Sequence, residues 1–462
     1  MRTHRACTAL ALSLVLGTSG CAVASAAWRA GPMGIAAERT IRDHLTYGRA
    51  DQAWVAMSDT KVAPRDVLLR HMYRGVIAVH AREYAAGAKS MDRAWQIVED
   101  RYTKRLSAGA VSLVTADAAL PYYPLATEHY FIPYYGALNW LAQGKRDATA
   151  VEARRLAMLL QAEGRKPVRE LEGALRYVSG VFFEAVGERQ DAMVAYRNAA
   201  ALLGTLPGDT LPAGPDSGDV VVIVEDGFVG APQPQTLGVY TNADELVALT
   251  SGSDVSRIRV AERVAARRND RFDQRADVGW LTYEVNWATF GDAMQGPQPI
   301  EVRTSPVSFP ALYAGVTGSV REDFAREVPA KLARGIARAA VRYTAMRAAE
   351  AKIDRAVHGD KDEDDDEAKK ARAGRMLLGV LLGAFSVGST VIDQPDLRAW
   401  QLLPDRLIIA RLRLPVGEHP IQVHQGGAVH DLGMARVRPG GVTVLSHRVW
   451  PRGRGGWATA AR

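Results

Sequence analysis

Residues 206–218, Leu-Pro-Gly-Asp-Thr-Leu-Pro-Ala-Gly-Pro-Asp-Ser-Gly, carry three prolines and three glycines in thirteen positions. No regular element runs through such a stretch, because proline lacks an amide donor and glycine loses the most entropy on ordering. The chain is therefore divided into two halves of different character. Residues 37–205 are rich in Ala, Leu, Arg and Glu, with apolar positions at the three-and-four spacing of an amphipathic helix. Asp219-Val-Val-Val-Ile-Val-Glu-Asp-Gly227 is a continuous apolar run closed by a turn, the pattern of a buried strand.

The helical half contains an internal repeat. Small residues where two helices of a hairpin touch, with larger ones between, recur at offsets of about 0, 3, 12, 16 and 19 in the tetratricopeptide (TPR) pattern. Gly180, Phe183, Ala192, Tyr196 and Ala199 match all five, and Gly187 falls at the turn. Gly75, Ala78, Gly87, Met91 and Ala94 match loosely. In a third window Gly136 and Ala148 fit, while Glu152 and Arg155 stand where core residues belong. Three TPR-like hairpins are expected, against a generic helical bundle with coincidental small residues.

Aromatic residues concentrate in Ala119-Leu-Pro-Tyr-Tyr-Pro-Leu125 and at Tyr130, Tyr134 and Tyr135. Two readings stand side by side: Tyr122, Tyr123, Tyr130, Tyr134 and Tyr135 line a groove for a partner segment, since tyrosine gives large contact area at low entropy cost, or they form an inter-repeat core. Glu152, Arg154 and Arg155 are read either as a charged patch on the concave face or as a solvated helix face.

In the second half, Glu225 and Asp226 resemble paired carboxylates, but Asp-Gly after a strand is turn chemistry. Trp280 to Trp287 reads as extended and Arg257 to Arg275 as a charged surface helix. Pro329 suits a helix N-terminus, and apolar steps of three or four carry a helix to about Asp354, with Arg334, Arg338 and Arg342 as a solvated basic row. Asp360 to Glu367 holds seven acids in eight residues, a self-repelling loop without the glycine and glutamate spacing of a calcium-binding hand. Met376 to Ile392 is uncharged but at the short limit for a bilayer span, so a buried helix is the favoured reading over insertion. Arg406 to Leu414, Pro420 to His424, Val429 to Val437 and Val442 to Val449 read as antiparallel strands. His419, His424, His430 and His447 fall among them and read as scattered surface residues rather than a metal site.

The N-terminus has the form of an export signal. Arg2, His4 and Arg5 precede an apolar stretch from Ala6 to Gly17, which ends in Thr18-Ser19-Gly20-Cys21. This resembles a lipobox, although Thr18 stands where leucine is usual. Cleavage before Cys21 would leave its thiol to be acylated, and Ala22 points by analogy to the outer membrane. The alternative is ordinary secretion with cleavage after Ala24-Ser25-Ala26. Of the two cysteines, Cys7 leaves with the signal, so the mature chain offers no disulfide. Hydrophobic residues at 47% and charged residues at 24% exclude a mostly disordered chain and a polytopic membrane protein. Loss of Arg2 and Arg5 reduces the net charge from +7 to +5, which is no case for nucleic-acid binding.

The fold class expected is α+β: an N-terminal helical TPR-like repeat domain, then a mixed α/β region ending in a small antiparallel β unit. The segments are 1–20 signal, 21–36 lipidated linker, 37–205 helical repeats, 206–218 linker, 219–318 β-rich region, 319–400 helical pair with an acidic disordered loop at 358–374, 401–450 β-rich unit and 451–462 basic tail.

Taken in order, the lipobox, the repeats with Val151-Glu-Ala-Arg-Arg155, Val221-Val-Ile-Val-Glu-Asp-Gly227, Ser308-Phe-Pro310, Trp400-Gln-Leu-Leu-Pro-Asp-Arg406 and Leu414-Pro-Val-Gly417 resemble a family of uncharacterised bacterial TPR-containing envelope lipoproteins. That resemblance implies an outer-membrane protein facing the periplasm, and because the family has no established activity it carries over no catalytic residue. The functional expectation is a non-enzymatic scaffold without cofactor. Cys21 is its lipid site, and Tyr122, Tyr123, Tyr130, Tyr134, Tyr135, Glu152 and Arg155 bind an unidentified envelope protein. The alternatives are a glycan-acting enzyme, whose carboxylate pair leaves no local signature, and a membrane-inserting secretion or pore component acting through residues 376–392.

Overall fold

The computed structural model describes residues 35–105, 120–162, 166–241, 281–291, 298–304, 307–358, 395–451 and 458–460, with short helical pieces at 244–245, 248–249, 259–260 and 263–264. The signal and lipobox, the acidic run, the 376–392 stretch and nearly all of the 257–275 segment lie outside the described residues. The protein is mixed helix and sheet, with helices leading and strands following, as α+β requires.

Four helix pairs come first: α1 (Ile35–Thr46) with α2 (Ala50–Asp59), α3 (Val67–Ala81) with α4 (Tyr84–Arg105), α5 (Ala126–Leu141) with α6 (Arg146–Gln161), and α7 (Arg169–Ala185) with α8 (Arg189–Leu203). In the last three pairs one glycine on the first helix lets the second approach. Gly75 lies against Met91, Gly136 against Glu152 and Gly180 against Tyr196, always sixteen positions apart. A β-carbon at Gly136 would sit 2.8 Å from the Glu152 carboxyl carbon, and one at Gly180 2.6 Å from the Tyr196 ring. The turns of the last two pairs use left-handed glycines, Gly144 at φ 68° and Gly187 at φ 88°. Arg82, at φ 61°, fills the same role after α3, in a region that disfavours a side chain.

The strands build two stacked sheets. The central sheet has the order β11-β10-β1-β7-β6, formed by β1 (Ser217–Asp226), β6 (Ala311–Gly315), β7 (Arg406–Pro415), β10 (Val442–Val449) and β11 (Ala458–Ala460). The outer sheet has the order β5-β4-β8-β9, from β4 (Ile300–Thr304), β5 (Val307–Phe309), β8 (Gly417–Gln425) and β9 (Ala428–Val437). A separate hairpin, β2 (Pro232–Thr241) and β3 (Leu281–Phe290), meets the long helix α9 (Val316–His358) where Phe290 and Phe324 lie 5.5 Å apart.

This stacking explains the unbroken apolar run in β1. Val221 and Ile223 join the core beneath the helices, while Val220, Val222 and Val224 join a second core against Val302, Ile421 and Val423 of the outer sheet. Each such side chain, fully buried, contributes about 1.5–3 kcal/mol. Both edges of β1 are also occupied, by β7 antiparallel and β10 parallel.

Three expectations are corrected. The C-terminal strands are not a self-contained antiparallel unit: β10 runs parallel to β1, β7 lies between β1 and β6, and β8 pairs with β4. A parallel partner needs a crossover connection, and here it is supplied by a strand from the far end of the chain. Pro329 lies inside α9 rather than at its start. The helix begins at Val316, where the carbonyl of Asp405 accepts from the amides of Val316 and Thr317 at 2.7 and 3.1 Å. That cap is remote in sequence. Finally, Arg338 is buried rather than solvated. None of the described helices is long and apolar enough to cross a membrane.

Candidate functional site

The inner helices α3, α5 and α7 meet the central sheet through polar side chains. Alternation along β1 sends Glu225 toward the helices and Asp226 toward the outer sheet. Glu225 accepts from Tyr134 at 2.9 Å and from Arg448 at 3.1 Å, with the His80 ring nitrogen at 3.7 Å. Arg448 also donates to the carbonyls of Gly227 and Leu402, and its guanidinium lies 4.9 Å from the Trp450 ring centre. Burial, with Arg448 and His447 adding to it, holds the His80 pKa well below 6.5, so the ring is neutral. Asp226 instead accepts from Arg406 at 2.7 Å and Gln425 at 3.0 Å. The two carboxylates therefore do not work as a pair.

A second polar cluster fixes α7 to the sheet. Arg411, fully buried, donates to Glu184 at 2.8 and 3.0 Å, to Tyr196 at 3.1 Å and to Asp219, which Arg413 also reaches at 2.9 Å.

Residues 395–405 pass between these layers without regular structure, and the helices hold them chiefly by the main chain. Glu128 accepts from the Trp400 amide at 2.6 Å and the Leu125 amide at 2.8 Å, and from the Tyr122 hydroxyl. Tyr73 donates to the Ala399 carbonyl at 3.1 Å and accepts from the Gln401 amide at 3.1 Å. Arg398 bridges Asp66 at 2.9 Å and Asp396 at 2.7 Å, and its guanidinium faces the Tyr122 ring. Trp400 is wholly buried, 5.6 Å from the Tyr135 ring. Desolvation raises the Glu128 pKa to about 7 despite its donors.

The sequence-predicted partner-binding residues are placed by this arrangement. Tyr122, Tyr130, Tyr134 and Tyr135 are buried and Tyr123 is half-buried. The four buried tyrosines belong to the core, as in the core reading of this cluster, and Tyr135 packs against Trp400 of the protein's own 395–405 segment. Glu152 is buried against Gly136 and ion-paired to Arg155 at 2.7 Å, while Arg155 also reaches Asp92 and stacks over Trp95. Glu152 and Arg155 join α4 to α6, while Arg154, the third residue of the charged triplet, is exposed and paired with Glu188 at 3.0 Å. Cys21 lies outside the described residues. Of the four C-terminal histidines, His430 and His447 are buried together, with ring centres 5.1 Å apart, rather than scattered on the surface.

An open surface lies elsewhere. A cleft of about 270 Å³ runs between α6 and α8, and no strand residue lines it. Ala157, Leu160, Phe183 and Ala195 line it alongside Met158 and Val194, which remain 62% and 42% exposed, with Arg154 and Asp191 also in its wall. Val151 and Met193 add exposed apolar surface on the same two helices. The sequence signal was an apolar residue on each polar helix face, Val151 and Met158 seven apart and Met193 beside Val194, which the tyrosine cluster overshadowed. Among the described residues no group of three or more His, Cys, Asp or Glu is placed to hold a metal ion. Compared with family models, curated proteins and solved structures, the chain has no match in any of the three.

Proposed function

We propose that the protein is a non-enzymatic scaffold lipoprotein of the bacterial envelope. A lipid on Cys21 holds it to the periplasmic face of the outer membrane, and its TPR-like helices bind an envelope protein. The observation that carries the binding reading is the α6–α8 cleft, where exposed Met158 and Val194 accompany an apolar lining. Exposed apolar clefts mark interaction sites, and methionine adapts its shape to an incoming side chain. The glycine packed against the residue sixteen positions later in three successive pairs supports the TPR-like reading. Because the protein itself occupies the tyrosine face, the partner engages α6 and α8.

A photocrosslinking residue at position 158 or 194, introduced in living cells, tests this. One discrete protein adduct from both positions is expected, with none from an exposed control such as Leu211. Absence of any adduct at 158 and 194 would remove the scaffold reading. The anchor is tested separately: Cys21→Ala should move the protein to the soluble periplasmic fraction with its unfolding midpoint unchanged. Retention of that variant in the membrane at high salt would overturn the lipid assignment.

A further inference from the structure

The layer between the two sheets is apolar apart from Asp226 with its partners Arg406 and Gln425, and the histidine that β9 and β10 each insert. His430 is opposite Val423 in the β8–β9 register, and His447 is opposite Val224 in the β10–β1 register. Both valines belong to the inter-sheet core, so both imidazoles point into it. His430 is 4% exposed and His447 is fully buried; their rings are 5.1 Å apart and tilted by 54°. Neither ring nitrogen of His430 has a hydrogen-bond partner among the described residues.

We propose that His430, packed against His447, is an acid-sensitive latch between the outer and central sheets. A neutral imidazole fits this layer as a small, mostly apolar ring. A protonated one is a buried cation without an acceptor, which is strongly unfavourable.

The surrounding groups do not relieve that cost. On β8, His424 adds repulsion against a charged His430 instead of an acceptor, and His419 is engaged with the Pro415 carbonyl at 2.8 Å. On β9, Asp431 is exposed and accepts from the Gly433 amide. From β1 and β7, the facing charges are Asp226 and Arg406, already ion-paired at 2.7 Å. On β10, Arg448 lies on the opposite face with Glu225. Strand β4 turns Ile300 and Val302 to this core, and β11 carries no titratable residue.

Burial, assisted by His424, lowers the His430 pKa from its ordinary 6.5. The sheet-released form therefore takes up a proton near pH 6.5 that the closed form refuses. The closed state is favoured in full above that value and loses ground as pH falls below it, until His430 titrates in place. The loss reaches up to about tenfold at one pH unit below the released-state value.

Hydrogen exchange of the full chain at pH 7.5 and 5.5, corrected for intrinsic rates, reads this directly. Protection of β8 and β9 is expected to fall by up to about tenfold, with α5 and α7 changing less. His430→Leu should remove the fall, and His430→Gln, neutral and of similar size, should do the same if the leucine variant folds poorly. A fall of unchanged size in these variants, or a folded-state His430 titration midpoint near 6.5 by NMR, would overturn the latch.

Discussion

Where α3 and α5 meet the central sheet, Glu225, Arg448 and Tyr134 are sealed from water and joined through the Glu225 carboxylate, with the neutral His80 ring buried beside them. In the cleft between α6 and α8, the side chains left to solvent include Met158 and Val194. A polar cluster inside and exposed apolar side chains outside depart locally from the usual distribution, and the contrast separates two kinds of contact. Buried ion pairs gain little net stability over apolar packing but tolerate no missing partner, which suits an interface made once and kept. Apolar surface gains in free energy whenever something covers it, which suits one that exchanges partners.

The largest effect should come from breaking the sealed side. Glu225→Ala leaves the Arg448 guanidinium buried without its carboxylate and should cost about 3–5 kcal/mol. The double replacement Glu225→Leu with Arg448→Met should recover most of that loss. Urea unfolding measures both. A Glu225→Ala midpoint close to wild type would mean that water reaches this interface and that the two sides differ less than described.

Glu152 sharpens the comparison through pH. Desolvation raises its pKa from 4.5 to about 7, with Arg155 opposing the shift. Between those values the folded chain keeps a proton that the unfolded chain has released. Stability contributed by this site is therefore present below pH 4.5 and lost as pH rises through 7. Glu152→Met, which places an apolar residue against Gly136, should gain about 2 kcal/mol on wild type at pH 8 relative to pH 5. Glu128, also raised to about 7, contributes the same sign, so part of the slope persists in the variant. A wild-type slope left intact by Glu152→Met would show that the carboxylate is ionised in place and compensated by Arg155.

Much of this architecture was legible because local chemistry and tertiary packing agreed. The Pro/Gly stretch at 206–218, the valine run of β1 and the packing glycines Gly75, Gly136 and Gly180 of the last three helix pairs all report their surroundings through local residue type. What could not be read depends on groups far away in the chain. Asp405 caps α9 from 89 positions beyond Val316, so Pro329 looked like the better start. The tyrosines looked like a binding face because sequence shows that aromatic surface exists and not what covers it; here Trp400 covers it from the same molecule. His430 and His447 became neighbours only when β10 added in parallel beside β1.

Arg82 gives a smaller test of the repeat geometry. The corresponding turns use Gly144 and Gly187 at similar positive φ, and Arg82 adopts φ 61° with a side chain. Arg82→Gly should stabilise by about 0.5–1 kcal/mol, the left-handed relief outweighing the entropy glycine adds to the unfolded chain. A loss of stability on this change would mean that the α3–α4 turn is held by the arginine side chain and is not equivalent to the other two.

The smallest effect on stability belongs to the open side, and there its smallness is the informative result. Met158→Glu with Val194→Asp places two charges on side chains that already face solvent, so unfolding should move by no more than about 0.5 kcal/mol. The same pair should abolish crosslinking from a probe at Val151, because the two added carboxylates replace the apolar contacts and must be desolvated before a partner can seat. If the double variant unfolds as easily as Glu225→Ala, the cleft is part of the fold and Met158 and Val194 are covered in the working protein by the chain itself. If it is stable and still crosslinks, the partner docks on another face, and the contrast between the two sides is one of packing alone.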